Sequence, residues 1–120
     1  MMSRMSSAEF QSLSIEVGQG PSGPVLSVRG EVDTVTAPEL QAGVEQAMPG
    51  SGRVLVVDLS GVTFLSSAGL SVLVQAHQRA GEAGCEVRIV TNASTARVFQ
   101  LTGLTETLRL FDSADAAREA

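Results

Sequence analysis

The side chains able to do chemistry are few, and their spacing excludes more than it offers. There is one histidine, His77, and one cysteine, Cys85, so no internal disulfide forms and the closed ligand set of a structural zinc site is out of reach. His77 falls on the apolar stripe of an expected helix with no nucleophile elbow to serve, which makes it a packed or rim histidine. Cys85 stands between Gly84 and Glu86 without the positive neighbour or helix start that makes a thiolate reactive, and reads as packing. Gly18-Gln19-Gly20-Pro21-Ser22-Gly23 spells a dinucleotide-binding fingerprint, but a strand, Pro24 to Val28, follows where a helix is needed, and Pro21 has no amide to give a phosphate. It reads as a hairpin loop. Asn92-Ala93-Ser94 spells a glycosylation sequon, yet Asn92 or Ser94 has a plainer use as a helix N-cap. What remains is Ser66-Ser67, at the point where a loop gives way to a helix. Unpaired backbone amides and the positive dipole end at such a point favour an anion, although most serines ahead of an amphipathic helix are plain caps. A nucleophilic Ser67 would need a base and an oxyanion site that nothing supplies except the lone His77; no catalytic residue, metal or cofactor is expected.

The elements that position this segment follow from periodicity. Phe10, Leu13, Ile15 and Val17, then Val25, Leu26, Val28 and Gly30, give two alternating stretches separated by residues 18–24, an antiparallel hairpin. Thr36-Ala37-Pro38-Glu39 spells a capping box ahead of Leu40, Val44 and Ala47, predicting a helix from about Ala37 to Met48. Val54 to Val57 is a continuous apolar run, the mark of a central strand covered on both faces. A loop, Leu59 to Ser67, then leads into a helix carrying Leu70, Leu73, Val74 and His77 and punctuated by Gly81 and Gly84. Val87 to Val90 is a short strand, Ala96 to Leu101 a short helix, Leu108 to Phe111 an edge strand, and Asp112 or Ser113 caps a last helix. Strands joined by crossover helices after an opening hairpin imply an α/β fold with a mixed sheet.

Bulk properties narrow the class. At 120 residues, 43% hydrophobic and 18% charged, the chain is one globular domain able to bury its own core, expected to span residues 10–120 behind a flexible tail at 1–9. A net charge of −5, eight Lys and Arg, and neither Trp nor Tyr leave nothing to track or stack on a nucleic acid. No run approaches the roughly 20 apolar residues of a membrane span, and the first residues lack signal-peptide character. The expectation is a cytoplasmic protein with no membrane insertion.

The segment Val56-Val57-Asp58-Leu59-Ser60-Gly61-Val62-Thr63-Phe64-Leu65-Ser66-Ser67-Ala68-Gly69-Leu70 closely resembles the signature of STAS-domain anti-sigma factor antagonists. That signature is roughly Asp-hydrophobic-Ser-Gly-Val-x-Phe-hydrophobic-Asp-Ser-Ser-Gly-Leu, with the first serine of the pair as phosphoacceptor. Gly30-Glu31-Val32-Asp33 running to Leu40 is similar to the family's Gly-Glu-x-Asp stretch, and Val98 to Leu104 to its C-terminal segment; the likeness spans residue 11 or so to the end. The resemblance implies a STAS-like mixed sheet of four to five strands flanked by about four helices. It also implies a partner switch. The unmodified protein binds an anti-sigma factor serine kinase and indirectly frees a sigma factor; phosphorylated, it lets go until a phosphatase restores it. Ser67 matches the phosphoacceptor. Ser66 stands where the family has Asp and is the alternative acceptor, with Asp33 as a neighbour that could supply the missing carboxylate; Ala68 replaces the following Ser. By the same resemblance Asp33, Asp58, Ser60, Ser66, Gly69, Leu70 and Ser71 are candidates for the partner-binding face. Each has a plainer alternative: Asp33 ending a strand, Asp58 bonding its own loop, Leu70 in the core. The rival function is a STAS regulatory subunit of a transporter or stress-signalling complex, using the same face without phosphorylation.

Overall fold

A computed structural model describes residues 13–120; the expected tail and Phe10 lie outside the described residues. Five strands, β1 (Leu13–Gly20), β2 (Gly23–Val32), β3 (Val54–Leu65), β4 (Glu86–Val90) and β5 (Arg109–Phe111), form one sheet in the order β1-β2-β3-β4-β5. The β1/β2 pair is antiparallel and the remaining three are parallel. Each parallel step is made through a helix: α1 (Ala37–Ala47), α2 (Ser67–Ala83) and α3 (Ala93–Leu101), with α4 (Ala114–Glu119) closing the chain.

The apolar run of β3 is covered on both faces, as its composition demands. Leu55, Val57 and Leu59 point into the larger core with Leu40 and Val44 of α1, Leu73 and Ala76 of α2 and Phe99 of α3. Val56 points the other way, into a smaller cluster with Val90 and the fully buried Ala117 of α4. Cys85 is buried, its thiol 3.7 Å from the Met48 thioether.

The chain departs from the sequence expectations at four boundaries. The hairpin turn is only Pro21-Ser22, because Gly18, Gly20 and Gly23 belong to the strands. Gly23 is fixed there by space: with φ at 149°, a Cβ would stand 2.2 Å from the Val54 carbonyl oxygen. The capping box at Thr36 does not form. Instead Thr36 is buried and its hydroxyl donates to the Glu31 carbonyl, while Asp33 gathers the free amides of the turn. Helix α3 starts at Ala93, three residues before the expected Ala96, because Asn92 is its cap; Ser113 takes that role for α4. Lastly, the expected loop from Leu59 to Ser67 is strand as far as Leu65.

That extension is irregular. Against β2, Ser27 faces Asp58 and Arg29 faces Gly61, so the single residue Val28 opposes both Leu59 and Ser60. A second irregularity inserts Thr63, since Gly30 faces Val62 and Glu31 faces Phe64. On the other side β4 keeps pace only to the Asp58/Val90 pair. Beyond it, β3 continues with a bulged backbone and no ladder partner on one edge.

Candidate functional site

The C-terminal end of β3 delivers the chain directly into α2. Leu65 pairs with Val32, the Ser66 amide donates to the Val32 carbonyl at 2.8 Å, and the chain turns into the helix at Ser67. Ser66 is the N-cap, in extended geometry, its Oγ accepting the Gly69 amide at 3.3 Å. The Leu70 amide is taken by the Ser66 carbonyl at 3.0 Å. The amides of Ser67 and Ala68 have no acceptor within the helix, as the geometry of a helix start requires. Ser67 itself is the first helical residue and is exposed. Of the two serines, Ser66 is engaged in capping and Ser67 is presented beside the open amides.

Gly69 explains how α2 can start so close to the sheet. A Cβ there would lie 2.6 Å from Val32 Cγ1 and 2.7 Å from Leu65 Cδ1; only the bare glycine lets the first turn rest on the ends of β2 and β3. Gly69 and Leu70 are both buried, Leu70 at 7% exposure within the main core. Leu70 packs in the main core with only a small part of its surface left exposed. Ser71 and Ser60 are exposed.

Asp33 follows Val32, so its turn flanks the start of α2. Its Oδ1 accepts the Val35 and Thr36 amides, both at 2.9 Å, and the Thr36 hydroxyl at 3.1 Å. The Thr36 amide, then the Thr36 hydroxyl and the Val35 amide, hold this carboxyl below its ordinary range against a smaller opposing effect of burial. Oδ1 is thus committed to its own turn. Asp58 behaves alike: its Oδ1 accepts the Ser60 amide at 2.9 Å, the local loop bond of an Asx turn.

Two residues that the pattern reading passed over belong to this surface. Val35, on the Asp33 turn, is 80% exposed, and Phe64, near the end of β3, is 53% exposed. The cross-strand pairs Glu31/Phe64 and Val32/Leu65 bring both to the same end of the sheet as Ser67. Strict alternation along β3 would set Phe64 on the same side as the buried Val62; the inserted Thr63 turns it outward, so no local pattern marks it.

His77 is half-buried and lines a cleft of about 330 Å³ with Gln78, Gly81, Cys85 and Arg109, away from the start of α2. Among the described residues no cluster of three His, Cys, Asp or Glu side chains could hold a metal, and no helix is long and apolar enough to cross a membrane.

With this geometry in view, comparison with known proteins is specific. The STAS domain model matches residues 14–117. The chain belongs to the STAS domain family. Among its relatives is the anti-sigma-F factor antagonist RsfB of Mycobacterium tuberculosis, 32% identical over 85% of this chain and 84% of that protein. The anti-sigma-B factor antagonist of Listeria monocytogenes is 29% identical over 82% of this chain and 88% of its own length. A crystal structure of an anti-sigma factor antagonist from Mycobacterium paratuberculosis superposes with a TM-score of 0.80 at 36% identity, covering 88% of this chain and 91% of that one. The phosphorylated form of Bacillus SpoIIAA shares the fold, with a TM-score of 0.63 at 14% identity over 86% of this STAS chain and 96% of that protein.

Proposed function

We propose that this chain is an anti-sigma factor antagonist, a substrate rather than a catalyst, that binds an anti-sigma factor serine kinase and is switched by phosphorylation of Ser67. The observation that carries the reading is the exposed Ser67 at the start of α2, beside amides with no helical acceptor, in a STAS domain with relatives named anti-sigma factor antagonists. In the unmodified state the exposed Val35 and Phe64 give the kinase an apolar contact around the acceptor. Ser60, Ser71 and the turns of Asp33 and Asp58 complete the docking face. A phosphate adds about −1.5 to −2 charges. Set against desolvated or acidic partner groups it weakens binding, and each ~1.4 kcal/mol is tenfold in affinity. The same phosphate suits a helix N-terminus, so release comes from a changed surface while the fold persists. A phosphatase resets the switch, and the cycle takes place in the cytoplasm, with sigma factor freed indirectly.

Incubation with ATP and the anti-sigma kinases of its own cell, followed by mapping of the modified residue, tests this. The reading expects phosphate on Ser67, absent from Ser67→Ala and retained in Ser66→Ala. Phosphate on Ser66 alone would move the acceptor by one residue. Stable binding without any phosphate would replace the switch by an unphosphorylated STAS subunit of a transporter or stress complex.

A further inference from the structure

Asn92 does more than cap a helix. Its Oδ1 accepts the Thr95 amide at 2.9 Å and its own backbone amide donates to the Thr95 hydroxyl oxygen at 3.0 Å, a closed capping box. Its Nδ2 then reaches across the fold to the carbonyls of Val62 at 2.8 Å, Ser60 at 3.1 Å and Leu59 at 3.4 Å. Three carbonyls face one side-chain end, which only the NH₂ can satisfy, so the orientation of the amide is set by its neighbours. These are carbonyls of the part of β3 that has outrun β4. The last β3/β4 pair is Asp58 with Val90, and the bulge opposite Val28 turns the next carbonyls toward the start of α3. Asn92, two residues beyond Val90, supplies the donors that β4 no longer offers. On the opposite edge the same segment is held by β2, including the Thr63 hydroxyl to the Gly30 carbonyl at 3.3 Å.

We infer that Asn92 is a positioning residue for partner docking: its amide clamps the bulged Leu59–Val62 segment and so fixes how Ser60, Phe64 and the start of α2 are presented. The docking half of this inference rests on the proposed function; the clamp rests on the hydrogen bonds alone. Two substitutions separate clamp from cap. Asn92→Asp keeps an oxygen for the Thr95 amide and remains a good N-cap, but loses every donor to the carbonyls and sets a carboxylate oxygen against them. Thr95→Val does the reverse, breaking the reciprocal half of the box while leaving the Asn92 amide in place.

The test uses the full chain, with hydrogen exchange on the free protein and steady-state phosphorylation by the purified kinase that modifies the wild type. Asn92→Asp speeds exchange of amides within residues 59–65 by about tenfold or more while α3 stays near wild type. It raises KM for the protein substrate about fivefold or more with kcat within about twofold, the signature of lost binding rather than lost chemistry. Thr95→Val loosens α3 and leaves KM near wild type. Unchanged exchange at 59–65 in Asn92→Asp overturns the clamp. An equal KM rise in Thr95→Val, or none in Asn92→Asp, overturns the docking role while the phosphorylation switch stands. If no kinase modifies the wild-type chain, the proposed function and the docking role fall together, and exchange decides the clamp separately.

Discussion

Helices α2 and α3 begin in the same way and to opposite ends. Each follows a parallel strand of the same sheet, and each opens on a polar N-cap in extended geometry, Ser66 for α2 and Asn92 for α3. At α3 the polar capacity is used up: the box with Thr95 is closed, Thr95 is 1% exposed, and the leftover donors of Asn92 are committed to β3. At α2 the cap is a short serine with a single long bond to Gly69, and the next residue is an exposed serine beside open amides. One helix start is closed into the structure and the other is left available. The physics that makes a helix N-terminus attractive to an anion is common to both; what distinguishes the proposed switch from the staple is which donors the fold has already satisfied.

Removing the closed start should cost most. Asn92→Ala loses a cap worth about 1 kcal/mol and leaves carbonyls of β3 without their donor, for a combined loss of about 2–4 kcal/mol in urea unfolding. Gly69→Ala comes next, because its Cβ would press on Val32 and Leu65; overpacking of this kind costs about 1–3 kcal/mol. Ser66→Ala removes only the bond to Gly69 and should lower stability by about 0.5–1 kcal/mol, leaving phosphorylation of Ser67 intact. Ser67→Ala should shift stability by no more than about 0.5 kcal/mol, as at an ordinary surface position, yet abolish phosphorylation. A thermal or urea series over these four variants would break the comparison if the two helix starts proved equally costly to open.

The smallest effect is electrostatic. Asp33 has its folded pKa depressed, chiefly by the Thr36 amide, so its contribution is present above the unfolded carboxylate pKa of about 4 and is lost as pH falls through the folded value. The acid limb of a stability profile should therefore be shallower in Asp33→Asn than in wild type, the gap between the two being widest near pH 7 and closing as the pH falls. Identical limbs would show that the Asp33 turn does not depend on the carboxylate charge.

Much of this arrangement was legible in the residues. Val54 to Val57 announces a central strand because every side chain in it is apolar, and both faces are indeed covered. Ser66-Ser67 ahead of the Leu70/Leu73 stripe announces a capped helix. The rest depended on partners distant in sequence. Ser60-Gly61-Val62-Thr63 looks like loop because the bulges break strict alternation, and it remains strand because β2 holds one edge and Asn92 the other. Thr36 and Glu39 spell a capping box, but the Glu31 carbonyl claims the hydroxyl of the buried Thr36 first, and Asp33 inherits the free amides. The reach of Asn92 over some thirty residues has no local signature. Nor does the outward set of Phe64, which depends on a register that only the pairing with Glu31 reveals.

The central claim is that a phosphate at the start of α2 changes the surface and not the fold. Isothermal titration of the anti-sigma kinase with unmodified and with stoichiometrically Ser67-phosphorylated protein, each checked by far-ultraviolet circular dichroism, tests it most directly. The account predicts an affinity at least about tenfold weaker for the phosphorylated form, or ~1.4 kcal/mol, with superimposable spectra; equal affinities, or a weaker affinity accompanied by a large loss of helical signal, would contradict it.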